Sequence, residues 1–239
     1  MFDIWRKWLF IFLGIAMAML PAAVVGCVLG SGNSANQERD GADFGVVIMD
    51  AGATLHLSSV GLEKIIISGE DNIIPLIETA VSGGTLFVSP KTDICPKLPV
   101  EIRAGSGRIE AIRLDGSGRI IAESLPGDNH HIVLNGSGNI DLGCAADSLE
   151  LVLNGSGRIL ATGRAEFLSA EMNGMGSIIA RELECETAIA KINGAGDISL
   201  TVVDSLRAAV RGSGSVDYSG NPAHIIKEIS GSGSVLIAK

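Results

Sequence analysis

Aromatic side chains are scarce, at 4% of 239 residues, so no interior closed around Phe, Tyr and Trp is on offer. The core must come from Ile, Leu, Val and Ala set among 31 glycines, a composition that favours stacked thin coils. Cationic residues are also few. Eighteen Lys and Arg against 27 Asp and Glu give a net charge of -9, which argues against nucleic acid, whose phosphates call for basic side chains on one face. Four histidines, His56, His130, His131 and His224, are scattered, and none combines with cysteine at a zinc-binding spacing. The adjacent pair His130-His131 places its rings on opposite faces of a strand, which predicts surface histidines rather than a metal pair. No G-x-G-x-x-G opens a helix and no G-x-x-x-x-G-K-[ST] occurs, so the glycines are structural. The calcium nonapeptide is missing too, since Asp197 alone follows a Gly-x-Gly in the required way. Glu182, Glu184 and Glu186 face solvent on one strand or turn rather than a shared cleft. No catalytic residue, metal or cofactor is expected.

What is present begins with an address. Arg6 and Lys7 precede an uncharged run from Trp8 to Leu29, long enough to span a bilayer as a helix. Within it Val24-Val25-Gly26-Cys27 matches a bacterial lipobox, which would make Cys27 the lipid-attachment residue and residues 1–27 a signal peptide. Val28 in the next position points to the outer membrane, while an uncleaved inner-membrane anchor and ordinary secretory cleavage are the alternatives. Each of the three exports the domain. Residues 28–43 are almost without apolar content from Gly30 onward and read as a flexible tether. With Cys27 lipidated, Cys95, Cys144 and Cys185 are an odd set in an oxidising compartment. No disulfide framework is implied, and buried free thiols are expected.

The folded part is read as one domain, 44–239. Short β-branched stretches at Phe44–Met49, Thr54–Leu57, Lys64–Ser68 and Thr85–Val88, separated by turn residues, form an N-terminal block over 44–100 that covers the first coil of the repeats. From 101 to 239 one phrase recurs eight times, as in Leu153-Asn154-Gly155-Ser156-Gly157-Arg158-Ile159. Its first glycines stand at 105, 116, 136, 155, 174, 194, 212 and 231, so after a step of 11 the spacing holds at 18 to 20. A fixed period of this size marks a repeat architecture. The fold expected is all-β, a parallel β-helix or β-solenoid with coils of about 19 residues.

Counted from each first glycine, even offsets are apolar and odd ones polar. Leu114, Leu134, Leu153, Met172, Ile192, Val210 and Ile229 share one column, and Ile120, Ile140, Ile159, Ile178, Ile198, Val216 and Val235 another. Both glycines share the buried parity. Glycine in a strand costs roughly 0.5–1 kcal/mol against Ala, so geometry must require it, through a close approach or a dihedral other residues avoid. The polar offsets give three outer columns. One holds Asp115, Asn135, Asn154, Asn173 and Asn193 and suits a hydrogen-bonded ladder; one holds Ser106, Ser117, Ser137 and Ser156, interrupted later by Met175 and Ala195; one holds Arg108, Arg119 and Arg158, interrupted by Asp197. Hairpins turning at each Asn-Gly are the competing topology, and the near-constant period favours the coil.

The set Ile66-Ile67-Ser68-Gly69-Glu70-Asp71-Asn72-Ile73-Ile74-Pro75, then Ser82-Gly83-Gly84-Thr85-Leu86, the serial Gly-Ser-Gly copies and Gly214-Ser215-Val216-Asp217-Tyr218-Ser219-Gly220-Asn221-Pro222 resembles the bacterial family called putative auto-transporter adhesin, head GIN domain. The resemblance covers about 44–239 and implies a β-helix-like fold, an adhesin-type role and no catalytic residues. The function expected is that of a non-enzymatic envelope protein held at a membrane by an N-terminal lipid or helix. Its candidate contact residues are the Asn, Ser and Arg columns, and its ligand an envelope glycan or protein. A polysaccharide-active β-helix enzyme and an envelope sensor or assembly partner are the alternatives.

Overall fold

The computed structural model describes residues 26–61 and 64–238. The apolar run expected to serve as signal or anchor therefore lies almost wholly outside the described residues. Among these the chain is β throughout except for one short 3-10 turn at Ile74–Leu76, and no helix is long and apolar enough to cross a membrane.

The coils stack by parallel pairing, which rules out the hairpin alternative. Asn129–Gly136 lies on the second half of Asn139–Gly155, and that strand lies on Arg158–Gly174. Ser177–Gly194 and Asp197–Gly212 continue the stack. Each pairing aligns first glycine with first glycine: 116, 136, 155, 174, 194, 212 and 231 form a single file. The chain climbs one face before the Gly-x-Gly corner and another after it, and the core lies between. There Leu134, Leu153, Met172 and Ile192 face Ile120, Ile140, Ile159 and Ile178, all at most 1% exposed. Each such side chain contributes about 1.5–3 kcal/mol of burial, which a single coil could not supply alone.

The two glycines of a corner answer different demands. Gly155 has φ of +130°, and a Cβ there would lie 2.3 Å from the carbonyl oxygen of Gly136 in the coil before. Gly157 has no such φ, but its Cβ would sit 2.4 Å from Gly138 O and 2.7 Å from a methyl of Leu134. Both alternatives open in the sequence are thus realised, the dihedral at the first glycine and the close approach at both.

The block before the repeats is a continuation of the stack followed by a cap. Val46–Met49 pairs in parallel with Ala111–Leu114, and Thr54–Leu57 with Arg119–Ala122, so residues 46–57 make a rung without the glycine motif. Gly118 nests on its Ala51–Ala53 corner. Above it lie Thr85–Val88 on one face and Glu101–Gly105 on the other. Antiparallel strands then close the edge: Ile77–Ser82 on Thr85–Pro90, and Lys64–Glu70 between Glu101–Arg103 and Ser34–Asp40. Such pairing removes the open edge a parallel stack would leave.

Three expectations need correction here. Residues 34–40, read as part of a flexible tether, form a seven-residue strand because the polar chain finds the free edge of Lys64–Glu70. The copy at 103–109 is not a corner of the stack: Gly105 opposes Ser58, and the step of 11 to the next copy is too short for a coil. Cys27 is disulfide-bonded to Cys95, with the Cα atoms 5.6 Å apart. A sulfur in a disulfide has no thiol left to carry a lipid, so the structure replaces lipid attachment at Cys27 with a cross-link, and Cys95 is not a free thiol. Cys144 and Cys185 are free and buried as expected.

The cross-link belongs to a strap. Val28–Leu29 pairs in parallel with Ile94–Cys95, and the chain then crosses over Glu70, where only glycine fits: a Cβ on Gly30 would meet its carboxylate at 2.0 Å. Glu70 is fully buried and accepts from the backbone N–H groups of Gly32 (2.6 Å), Lys97 (2.8 Å) and Leu98 (3.3 Å). Desolvation pushes its carboxyl upward, but these three donors and the Lys97 charge outweigh that and hold it below its ordinary value.

Candidate functional site

The repeat turns single polar residues into columns because every coil returns to the same register. Asp115, Asn135, Asn154, Asn173 and Asn193 oppose one another in successive rungs. Each asparagine amide donates to the side-chain oxygen one coil earlier: Asn135 to Asp115 at 2.7 Å, Asn154 to Asn135 at 2.8 Å, Asn173 to Asn154 at 2.9 Å, Asn193 to Asn173 at 2.8 Å. The expected ladder exists, with a carboxylate as its terminal acceptor. It passes to Arg211 and Ser230, where no amide continues it. The asparagines from 135 to 173 are half-buried and Asn193 is exposed.

Ser117, Ser137 and Ser156 project from the corner tips and are at least partly exposed. Met175 continues their line with 75% of its surface exposed, an apolar tip where the neighbouring coils carry serine. The third column contains Arg119, Asn139, Arg158, Ser177, Asp197 and Ser215 in register. Arg108 is not part of it. It lies in the crossing from the cap to the stack and pairs with Glu110, two residues on, because the copy around it is not a rung. Arg119 is paired with Asp141 one coil away, and Ser215 donates to Asp197 at 2.7 Å. Ser and Arg columns together border a shallow depression of about 280 Å³ lined by Ser137, Asn139, Ser156, Arg158, Met175 and Asp197. The serine, asparagine, Arg119 and Arg158 candidates therefore share one corner ridge, and Arg108 stands apart from them.

The ridge can offer amide, hydroxyl and guanidinium groups to a partner at a fixed spacing of one coil, about 4.8 Å. Among the described residues no group of three or more His, Cys, Asp or Glu is arranged to hold a metal ion. Glu182, Glu184 and Glu186 are exposed along one edge, as expected. The buried thiols are pushed up by desolvation, Cys144 to about 11 and Cys185, further raised by Glu184, to about 12, so both are neutral near pH 7. His130, expected at the surface, is instead 3% exposed, since the chain enters the rung so that its ring takes an inward position while His131 faces out. The pleat predicts opposite faces for the pair but not which face is the interior.

The family described as "Putative auto-transporter adhesin, head GIN domain" matches residues 43–222. Among solved structures the chain is similar to a protein of Bacteroides fragilis described as a putative adhesin, with 27% identity, TM-score 0.83, and coverage of 88% of this chain and all of that one. It is similar also to a protein of Parabacteroides distasonis described as a putative lipid binding protein, with 25% identity, TM-score 0.74 and coverage of 90% and 100%. A protein of Parabacteroides merdae described as a putative adhesin, at 24% identity, TM-score 0.72 and coverage of 89% and 99%, shares the fold. No curated protein matches.

Proposed function

Because the chain belongs to the family described as putative auto-transporter adhesin, head GIN domain, we propose that it is an exported, non-enzymatic recognition module of the bacterial envelope that contacts its partner along the corner ridge. The observation that carries this reading is the ridge itself. The Asn ladder fixes the amides in place, and fixed polar groups at one-coil spacing suit an extended partner better than a small reactant. Preorganisation of this kind lowers the ordering cost of binding without supplying any reacting group.

Export is supported by the Cys27–Cys95 disulfide, which forms and persists in oxidising compartments. Tethering is assigned to the apolar run from Trp8 toward Leu29 acting as a membrane helix. The test uses bacteria producing the full chain, compared with the same cells producing Arg158→Glu with Met175→Ser, for retention on epithelial monolayers and on isolated envelope fractions. Retention raised several-fold by the native chain and lost in the double variant is the expected result. Equal retention with and without the native chain would sink the proposal.

A further inference from the structure

A groove of about 1020 Å³ opens on the flank of the first repeat coils, away from the corner ridge. It forms where the crossing at Gly107–Ala111 and the turn at Gly127–Asn129 leave the flank of the stack uncovered. Two side-chain pairs line it. Arg108 donates to Glu110, and His131 Nδ1 lies 2.8 Å from Glu150 Oε2 in the next coil. Asp128 lines it too, and its backbone carbonyl accepts from the N–H groups of Asp147 and Ser148.

His130 is the unexplained group. Its Nδ1 lies 3.0 Å from the carbonyl oxygen of Ile109, an acceptor only, so Nδ1 carries the proton and donates. In the neutral ring Nε2 is then an acceptor, and it is buried with no hydrogen-bond partner. His56 differs, because its Nε2, though poorly aligned, has Glu101 Oε2 at 3.3 Å. Beside His130 stands Gly127, at φ of +131°. A Cβ there would come within 3.6 Å of the ring's Cε1 and 4.0 Å of Nε2, and both residues line the groove. A buried acceptor without a donor costs about 1–3 kcal/mol, a cost a ligand donor can remove.

We infer that this groove is a saccharide-binding site, with one sugar hydroxyl donating to His130 Nε2 and its neighbours bridging the Arg108–Glu110 and His131–Glu150 pairs. The chemistry selects hydroxyls. Each pair presents a donor beside an acceptor, and a hydroxyl both donates and accepts, so vicinal hydroxyls match both pairs without a charge of their own. A carboxylated or phosphorylated ligand would meet Glu110, Asp128 and Glu150 together. The groove lining holds no aromatic ring other than its histidines for stacking on a sugar face, so affinity per sugar is low and a run of sugars is favoured. This assignment names a ligand class for the recognition function and rests on it, and it adds a contact on the flank to the one along the ridge.

The experiment is a neutral-oligosaccharide array probed with the detergent-solubilised full chain, followed by titration of the best binder. We expect binding that weakens at least tenfold in Glu150→Gln, in Asp128→Asn and in His130→Phe, with Glu182→Gln, exposed and remote from both ridge and groove, binding as the native chain does. Unchanged melting of the Glu150 and Asp128 variants separates lost contact from lost fold. Binding that survives those two variants, or that falls equally in Glu182→Gln, overturns the groove and leaves the recognition function standing. Silence of the whole array, or a liganded crystal in which His130 Nε2 meets only a water, likewise overturns the groove, and retention on monolayers tests the recognition function separately.

Discussion

The side-chain amide of Asn154 donates to Asn135 at 2.8 Å and its oxygen accepts from Asn173 at 2.9 Å, so one residue joins three coils. Replacing it with Ala removes two hydrogen bonds and leaves an acceptor and a donor facing a gap. At about 1 kcal/mol each, with partial solvent access to offset the loss, Asn154→Ala should destabilise the domain by about 1–2 kcal/mol. A denaturant midpoint shift at constant m-value is the expected observation. Asn193→Ala, at the exposed end of the ladder with one such bond to Asn173, should cost less.

The corner glycines should not tolerate a methyl group. Gly155→Ala combines an unfavourable φ with a backbone clash one coil away, and should cost more than about 3 kcal/mol. Ser156→Ala, between the two glycines and exposed, should stay within about 0.5 kcal/mol. Thermal melting of the pair separates a backbone requirement from a loose preference for small polar residues. Near-equal melting temperatures would contradict the geometry described for Gly155.

Much of the fold is legible in the chain because the repeat makes each reading many times over. The coil length, the inward columns of Leu153 and Ile159 and the Asn ladder all follow from parity and period. The misreadings fall where the repeat stops. The Gly-x-Gly context of Arg108 places it in a column, yet the 11-residue step marks that copy as a crossing. The strand at 34–40 carries no apolar alternation because it covers an edge with its backbone and leaves its side chains largely in solvent. Cys27 resembles a lipid site because the local motif is independent of what lies 68 residues downstream. The groove around His130 is assembled from three rungs, and only the stacking brings them together.

Acid should loosen the N-terminal strap before the stack. The Glu70 carboxyl is held below its ordinary value of 4.5, so the folded state favours the ionised form. Its stabilising contribution is complete above that value and is lost as pH falls through the lower, folded one. The protection factors of the Gly32, Lys97 and Leu98 amides, which remove the intrinsic pH dependence of exchange, should fall as the pH is taken well below 4.5 in native protein. In Glu70→Gln those protection factors should already be low at neutral pH and should not fall further on acidification.

Thiol counting distinguishes the cross-link from a lipid. With Cys27 and Cys95 joined and Cys144 and Cys185 buried, the native chain should react negligibly with a thiol reagent at pH 8. Denaturation without reductant should expose two thiols, and denaturation after reduction four. A chain carrying a thioether lipid on Cys27 would give three in both denatured states. Cys27→Ala tests the same point: under the disulfide it raises the count without reductant from two to three and leaves membrane partitioning unchanged.

The last coil presents a different physical problem, since nothing in the described chain stacks upon it. Ile225, Ile229 and Ile237 are 40%, 48% and 60% exposed, and the strands His224–Gly231 and Ser234–Ile237 each pair with the preceding coil on one side. Between those isoleucines, opposite the buried Ala208, stands Lys227. Its ammonium lies 5.1 Å from the centre of the Tyr218 ring and donates to the carbonyl of Val235 at 2.9 Å, bridging the two strands of the open end. A charge at the inward position of an edge strand opposes a further strand, because the incoming chain would have to bury it. Lys227→Leu should therefore convert the end into an apolar edge with free backbone donors and acceptors. Light scattering should show the variant associating at concentrations where the native chain does not, while Lys227→Arg behaves as the native chain. Should Lys227→Leu remain as dispersed as the native protein, the exposed isoleucines are protected by something other than this charge.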